Sequence, residues 1–182
     1  MSAYTIKQED IDLLKNQSMN DEDLEHSTQV AEKALEIGGR MRAELDMELI
    51  GRGALFHDLG KTKTHGITHG LIGAELGATL GLPDAVNGLM EKHIRGGLTE
   101  SEAVALGLPV KDYTLKLLEE RVVIYADRLV DIIHDGIVTI GDEIEAEIRF
   151  KDILKSEIKY GKDDITTKRY YRYHDEIQSL IP

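Results

Sequence analysis

The sequence contains no cysteine, which excludes disulfide scaffolds, Cys-ligated zinc, iron–sulfur clusters and thiol nucleophiles together. Any metal must therefore sit on His, Asp and Glu. Tryptophan is absent and proline occurs only three times, which suits packed helices better than a sandwich of short, turn-rich strands. No apolar run approaches the ~20 residues that span a bilayer, and Met1 to Asp10 lacks a basic segment followed by an apolar one. These absences predict a soluble, cytoplasmic protein without a membrane partner. Positive charge is also scarce: 22 Lys and Arg stand against 34 Asp and Glu, a net charge of −12. A broad basic surface for nucleic acid is thereby excluded, because polyphosphate would be repelled at long range. A local cationic pocket or a bound divalent metal could still hold a small anion.

With 182 residues, one domain with one sizeable core is expected. Apolar residues recur at helical rather than alternating spacing, which predicts an all-α bundle. Asn20 or Asp21 caps a helix running to Gly38 and Gly39, with Val30, Ala34, Ile37 and Met41 as its stripe and His26 in line with them. A second helix opens after Asp46 and stops at Gly60, with His57 and Asp58 in its last turn. After a loop over residues 61 to 68, which holds His65, a helix from His69 to Leu82 is ended by Pro83. The next helix, Asp84 to Ile94, turns Val86, Leu89, Met90 and His93 inward. Thr99 and Glu102 have capping-box spacing and open a short helix that ends by Gly107. A long helix from Asp112 to Asp135 puts Asp127 on the same stripe as Val123 and Val130. The core spans about residues 20 to 135. Residues 136 to 182 form a more polar accessory extension: a helix from Asp142 to Tyr160, a turn, and a Tyr-rich last helix. Tyr160, Tyr170, Tyr171 and Tyr173 pack that helix on the bundle or form a homodimer surface, the alternative being that, with Lys168, Arg169 and Arg172 nearby, they stack a base and hold phosphate.

His26, the pair His57 and Asp58, His69, His93 and Asp127 come from five separate predicted helices, nearly all on inward faces or at helix ends. One buried His is readily satisfied by hydrogen bonds, but six such groups converging on one core are not. A divalent metal resolves the difficulty, since neutral imidazoles and carboxylates are its natural ligands.

The string Ala54-Leu55-Phe56-His57-Asp58-Leu59-Gly60-Lys61 resembles the signature of the HD superfamily of metal-dependent phosphohydrolases, in its HDIG variant with Leu59 in place of Ile. The order H…HD…H…H…D is reproduced over about residues 20 to 135, and the whole pattern is similar to small standalone HDIG proteins of archaeal type. The resemblance implies that His26, His57, Asp58 and Asp127 hold one metal. His69 and His93 match the places of the ligands added in two-metal members, where the doublet Asp bridges the ions. His65 competes with His69 for that place. His69 is favoured because His69-Gly70-Leu71-Ile72-Gly73-Ala74 resembles a segment of HD proteins that hydrolyse dinucleoside polyphosphates.

The resemblance further implies hydrolysis of a phosphate ester or anhydride of a nucleotide-like substrate, with a hydroxide held between the metals as nucleophile. Lys61 and Arg95 are placed to meet phosphate oxygens. His-rich, thiol-free ligands suit Fe, Mn, Co, Ni or Zn. Two alternatives share the ligand set: a mixed-valence di-iron HD oxygenase, and a nucleotide-binding regulatory module with little turnover. Two further His-Asp doublets, His134-Asp135 and His174-Asp175, come after the distal Asp and are expected to be surface or helix-end pairs.

Overall fold

The computed structural model describes residues 4–138 and 143–182. Among them are eleven α-helices and no strand: α1 (Gln8–Asn16), α2 (Asp21–Arg40), α3 (Met47–Phe56), α4 (His69–Thr79), α5 (Asp84–Lys92), α6 (Glu100–Ala105), α7 (Leu118–His134), α8 (Glu143–Ile148), α9 (Phe150–Ser156), α10 (Ile158–Gly161) and α11 (Asp164–Leu180). Two 3-10 turns, Leu59–Thr62 and Ile94–Gly96, follow α3 and α5.

The centre of the bundle is α2 packed against α3 and α7, with α3 also packed against α5 and α5 against α4. The apolar stripes explain the arrangement: Val30, Ala34 and Ile37 of α2, Ile50, Ala54 and Leu55 of α3, and Val123 and Leu129 of α7 are all buried in one cluster. Asn20 caps α2 by accepting from the Asp23 N–H at 2.8 Å, and Thr99 and Glu102 form the expected capping box on α6. No helix among the described residues is long and apolar enough to cross a membrane.

Several elements differ from expectation. Helix α3 ends at Phe56 instead of Gly60, so His57 is its C-cap and Asp58 has left the helix, at φ −98°, ψ 13°. Residues 112 to 117 are not helical. The Asp112 carboxylate accepts from the Thr114 N–H and hydroxyl at 2.9 and 2.6 Å, a local turn that competes with helix formation. Helix α7 starts only where the Glu120 carboxylate can accept from the N–H groups of Lys116 and Leu117. Helix α1 was not expected. It is held by Arg52 of α3, whose guanidinium donates two hydrogen bonds of 3.0 Å to the buried Asp10 carboxylate.

The single helix expected from Asp142 to Tyr160 is three short ones, and its start at Asp142 lies outside the described residues. The C-terminal helices do more than flank the bundle. Phe150, Tyr160, Tyr170 and Tyr173 are buried in the same cluster as α2 and α7, so the tyrosines pack within the chain. His174 stacks on Phe150 and bonds the Tyr125 hydroxyl at 2.8 Å.

Candidate metal centre

Each inward His comes from a helix end or stripe that fixes its ring. His57 follows the last residue of α3, and its Nδ1 lies 2.6 Å from the Ala54 carbonyl. His93 repeats this after α5, with Nδ1 2.6 Å from the Met90 carbonyl. At the start of α4, His69 Nδ1 lies 2.8 Å from the Gly66 carbonyl. A carbonyl oxygen can only accept, so Nδ1 is the protonated nitrogen in all three rings. Carbonyls in the last turn of a helix lack an intrahelical partner, and the imidazoles of His57 and His93 supply one. In the neutral ring the Nε2 lone pair is then turned to the interior, as metal ligation requires.

These Nε2 atoms gather around Asp58, which is 2% exposed. Its Oδ2 lies 3.2 Å from His57 Nε2 and 3.8 Å from His26 Nε2, whereas its Oδ1 lies 3.2 Å from His69 Nε2 and 3.5 Å from His93 Nε2. The Asp127 Oδ1 closes the first group, 2.9 Å from His26 Nε2 and 3.5 Å from His57 Nε2. In the second group the Nε2 atoms of His69 and His93 are 2.9 Å apart. Two donor clusters thus share one carboxylate, one oxygen turned to each.

The structure therefore brings together all six residues singled out by pattern; His69 is among them and His65 is not. His65 is 64% exposed and pairs with Asp23 at 3.0 Å. Lys61 reaches Asp58 itself, Nζ to Oδ2 2.6 Å, and Arg95 pairs with Asp163 at 3.2 Å. Asp131, missed by the pattern reading, stands one turn beyond Asp127 with Oδ1 4.0 Å from His26 Nδ1 and Oδ2 2.9 Å from Arg128 Nη1. Continuing the stripe by four residues would have found it. Of the two late doublets, His134-Asp135 ends α7 at the cavity rim, Asp135 accepting from the Tyr160 hydroxyl at 2.7 Å. His174-Asp175 lies away from the cavity.

Protonation follows from the crowding. Burial disfavours the His57 cation, yet Asp58 and Asp127 overcome it and hold the ring well above the ordinary imidazole range. His26 is raised in the same way: burial opposes, but the bond to Asp127 prevails. Burial wins at His93, whose pKa is lowered despite Asp58. Asp58 and Asp127 lie well below the usual carboxylate range, because their imidazole partners outweigh burial. Asp131 is pushed up to about 6, by burial first and then by Asp127.

The centre opens into a cavity of about 630 Å³. Its lining includes the acidic Glu22, Asp23 and Glu25, and also Arg95, Arg128, Lys159 and Lys162.

An all-helical bundle that turns such a His and Asp set inward defines a class, and the chain belongs to it: the HD domain family model matches residues 23–130. An uncharacterized protein of Methanocaldococcus jannaschii is 36% identical over 162 residues, 87% of this chain and 89% of the relative. A Thermoplasma volcanium protein named tRNA (cytidine(56)-2'-O)-methyltransferase is 39% identical over 171 residues, 94% of this chain; the chain spans only 46% of that relative's length. Among solved structures, the HD domain of the L. monocytogenes phosphodiesterase PgpH in complex with cyclic-di-AMP superposes with a TM-score of 0.58 at 18% identity, covering 93% of this chain and 95% of that one. That likeness is one of fold.

Proposed function

We propose that this cavity is the active site of a metal-dependent phosphohydrolase, cleaving a phosphate ester or anhydride of a nucleotide-like substrate. The observation that carries the reading is the shared carboxylate of Asp58, with His26 and His57 on one oxygen, Asp127 against those same two rings, and His69 and His93 on the other oxygen. The donor set fits divalent transition metals, since it is rich in imidazole, free of thiols and presents Nε2 lone pairs fixed by Nδ1–H bonds. In this reading His26, His57, Asp58 and Asp127 hold one ion, and Asp58, His69 and His93 hold a second. Such ions supply a Lewis acid for a phosphoryl oxygen and lower the pKa of water toward neutrality. Lys61 and Arg95 contribute charge-assisted hydrogen bonds to phosphate oxygens. The pairing of Lys61 with Asp58 keeps its ammonium beside the reacting centre.

The test uses protein purified without chelator, loaded in turn with Mn, Co, Ni, Fe or Zn, and offered a panel of nucleotides and dinucleotides. Turnover is expected, lost in Asp58→Asn and kept within a few fold in Asp175→Asn, whose carboxylate is 62% exposed and pairs with Lys151. Saturable binding without turnover under every metal would refute the reading in favour of a regulatory module. Oxygen consumption by the Fe form without phosphate release would refute it in favour of an oxygenase.

A further inference from the structure

The HD match ends at residue 130, yet the cavity continues beyond it, lined by Lys159, Lys162 and Tyr170 together with Arg95 and Arg128. The backbone there is unusual. Three described non-glycine residues have positive φ, and two of them, Arg95 (51°) and Lys162 (66°), line this cavity. At Lys162 ψ is −60°, and the Asp163 N–H donates to the Gly161 carbonyl at 2.8 Å, which closes a γ-turn of the positive-φ kind. That turn is rare and strained for a residue with a Cβ, whereas glycine adopts it readily. Strain of this kind persists only where the surroundings enforce it, and it gathers at ligand sites.

The surroundings do enforce it. The Asp163 carboxylate caps α11 with one oxygen, accepting from the Thr166 N–H at 2.7 Å, and holds Arg95 with the other at 3.2 Å. From the same helix, Arg169 donates to the Arg95 carbonyl at 3.0 Å and the Tyr173 hydroxyl donates to the Gly96 carbonyl at 2.7 Å. One C-terminal helix therefore pins both strained residues. Arg95, Arg128 and Lys159 each have a carboxylate partner, Asp163, Asp131 and Asp135. Among the described residues Lys162 is in no ion pair, and the charges that act on it are those of Arg128, Asp131, Arg95 and Lys159. A lysine in a glycine-like turn thus presents an unpaired ammonium at the cavity.

We propose that Lys162, with Arg128, forms a second anion subsite that takes a phosphate of the substrate other than the one met by Lys61 and Arg95 at the His–Asp centre. The inference rests on the phosphohydrolase reading and narrows it: the substrate carries two separated phosphates, as a phosphorylated dinucleotide does, and not one. A cavity of about 630 Å³ is in the size range of small-molecule sites.

The probes are diadenylates with and without a 5′-phosphate, both joined by a slowly cleaved phosphorothioate link, titrated calorimetrically into the full Mn-loaded chain. The terminal phosphate should tighten binding about tenfold, the scale of one charge-assisted contact. In Lys162→Gly that advantage should shrink below about threefold, and in Lys162→Arg it should persist. Because glycine relaxes the turn, Lys162→Gly should melt no lower than the parent. Equal affinity of the two probes for the parent, equal weakening of both by Lys162→Gly, or a lower melting temperature in that variant would each overturn the proposal. If no phosphate ester is turned over with any metal while the phosphate advantage holds, the subsite stands and the hydrolase reading alone fails.

Discussion

Gly60 is the position where a single methyl group should do most damage to the centre. A Cβ built there would lie 1.8 Å from the His69 carbonyl oxygen and 2.7 Å from the Gly73 nitrogen, both of them backbone atoms of α4. Neither can swing aside as a side chain would, so Gly60→Ala forces α4 to retreat by more than about 1 Å. His69 rides on the first turn of that helix, 3.2 Å from Asp58 Oδ1 and 2.9 Å from His93 Nε2, and would be drawn off the second donor cluster. Overpacking of this kind costs about 1 to 3 kcal/mol, and backbone against backbone belongs at the upper end. For a chain of this size about 3 kcal/mol lowers the melting temperature by about 6 to 12 °C. Calorimetry and elemental analysis of Gly60→Ala should therefore show a lower Tm and a drop from two metals toward one, with His26, His57 and Asp127 still binding. A variant with parental Tm and full metal content would refute the reasoning, because it would mean that α4 is free to move without carrying His69 away.

Three further outcomes follow from the same geometry. Metal-reconstituted protein should hold near two ions per chain, falling to one in His69→Ala and in His93→Ala; if elemental analysis never exceeds one ion in the parent, those two residues are not ligands. Since Asp58 and Asp127 favour the cationic forms of His57 and His26 and a metal takes the neutral ring, metal uptake should release protons and weaken as pH falls. Titrations at pH 7 in buffers of different ionisation enthalpy check this, and a buffer-independent heat would contradict it. Lys61→Ala should retain metal, because an ammonium is no ligand, while losing about tenfold to a hundredfold in turnover, on the order of 1.5 to 3 kcal/mol for one charge-assisted bond. Parental efficiency in that variant would remove Lys61 from the substrate's path.

The helices with a clean apolar stripe, α2, α3, α5 and α7, could be read from periodicity, and so could the six converging His and Asp, because each shares a stripe or an end with buried apolar neighbours. Part of what escaped depended on a partner far away in the chain, and part on local turns and backbone angles. Helix α1 is short and mostly polar, and what docks it is a buried ion pair between Asp10 and Arg52, 42 residues apart. The start of α7 was placed too early because Asp112 and Thr114 look compatible with a helix until their side chains form a turn. That Asp58 turns one oxygen to each cluster depends on its leaving the helix after His57, a matter of backbone angles that spacing does not carry. The cationic cavity wall lies in a region of irregular short helices, where charge patterning alone says solvated surface. Only the packing of α11 shows which of those charges face the cavity together.

The three rings anchored through Nδ1 have a consequence for metal exchange. Each takes its orientation from a carbonyl three residues earlier in its own helix or turn, so the aim of the donor atoms is set by short-range chain geometry and does not wait for an ion. The ordering cost of the centre is thus met during folding of the bundle, and little of an ion's binding free energy is consumed in arranging ligands. Ions of different preferred geometry then meet the same rigid donors, and their order of affinity should follow their intrinsic preference for imidazole and carboxylate. On the proposed function, the ion that such a preset donor set takes up would be governed by which ion is supplied, with the fold unchanged from one ion to the next.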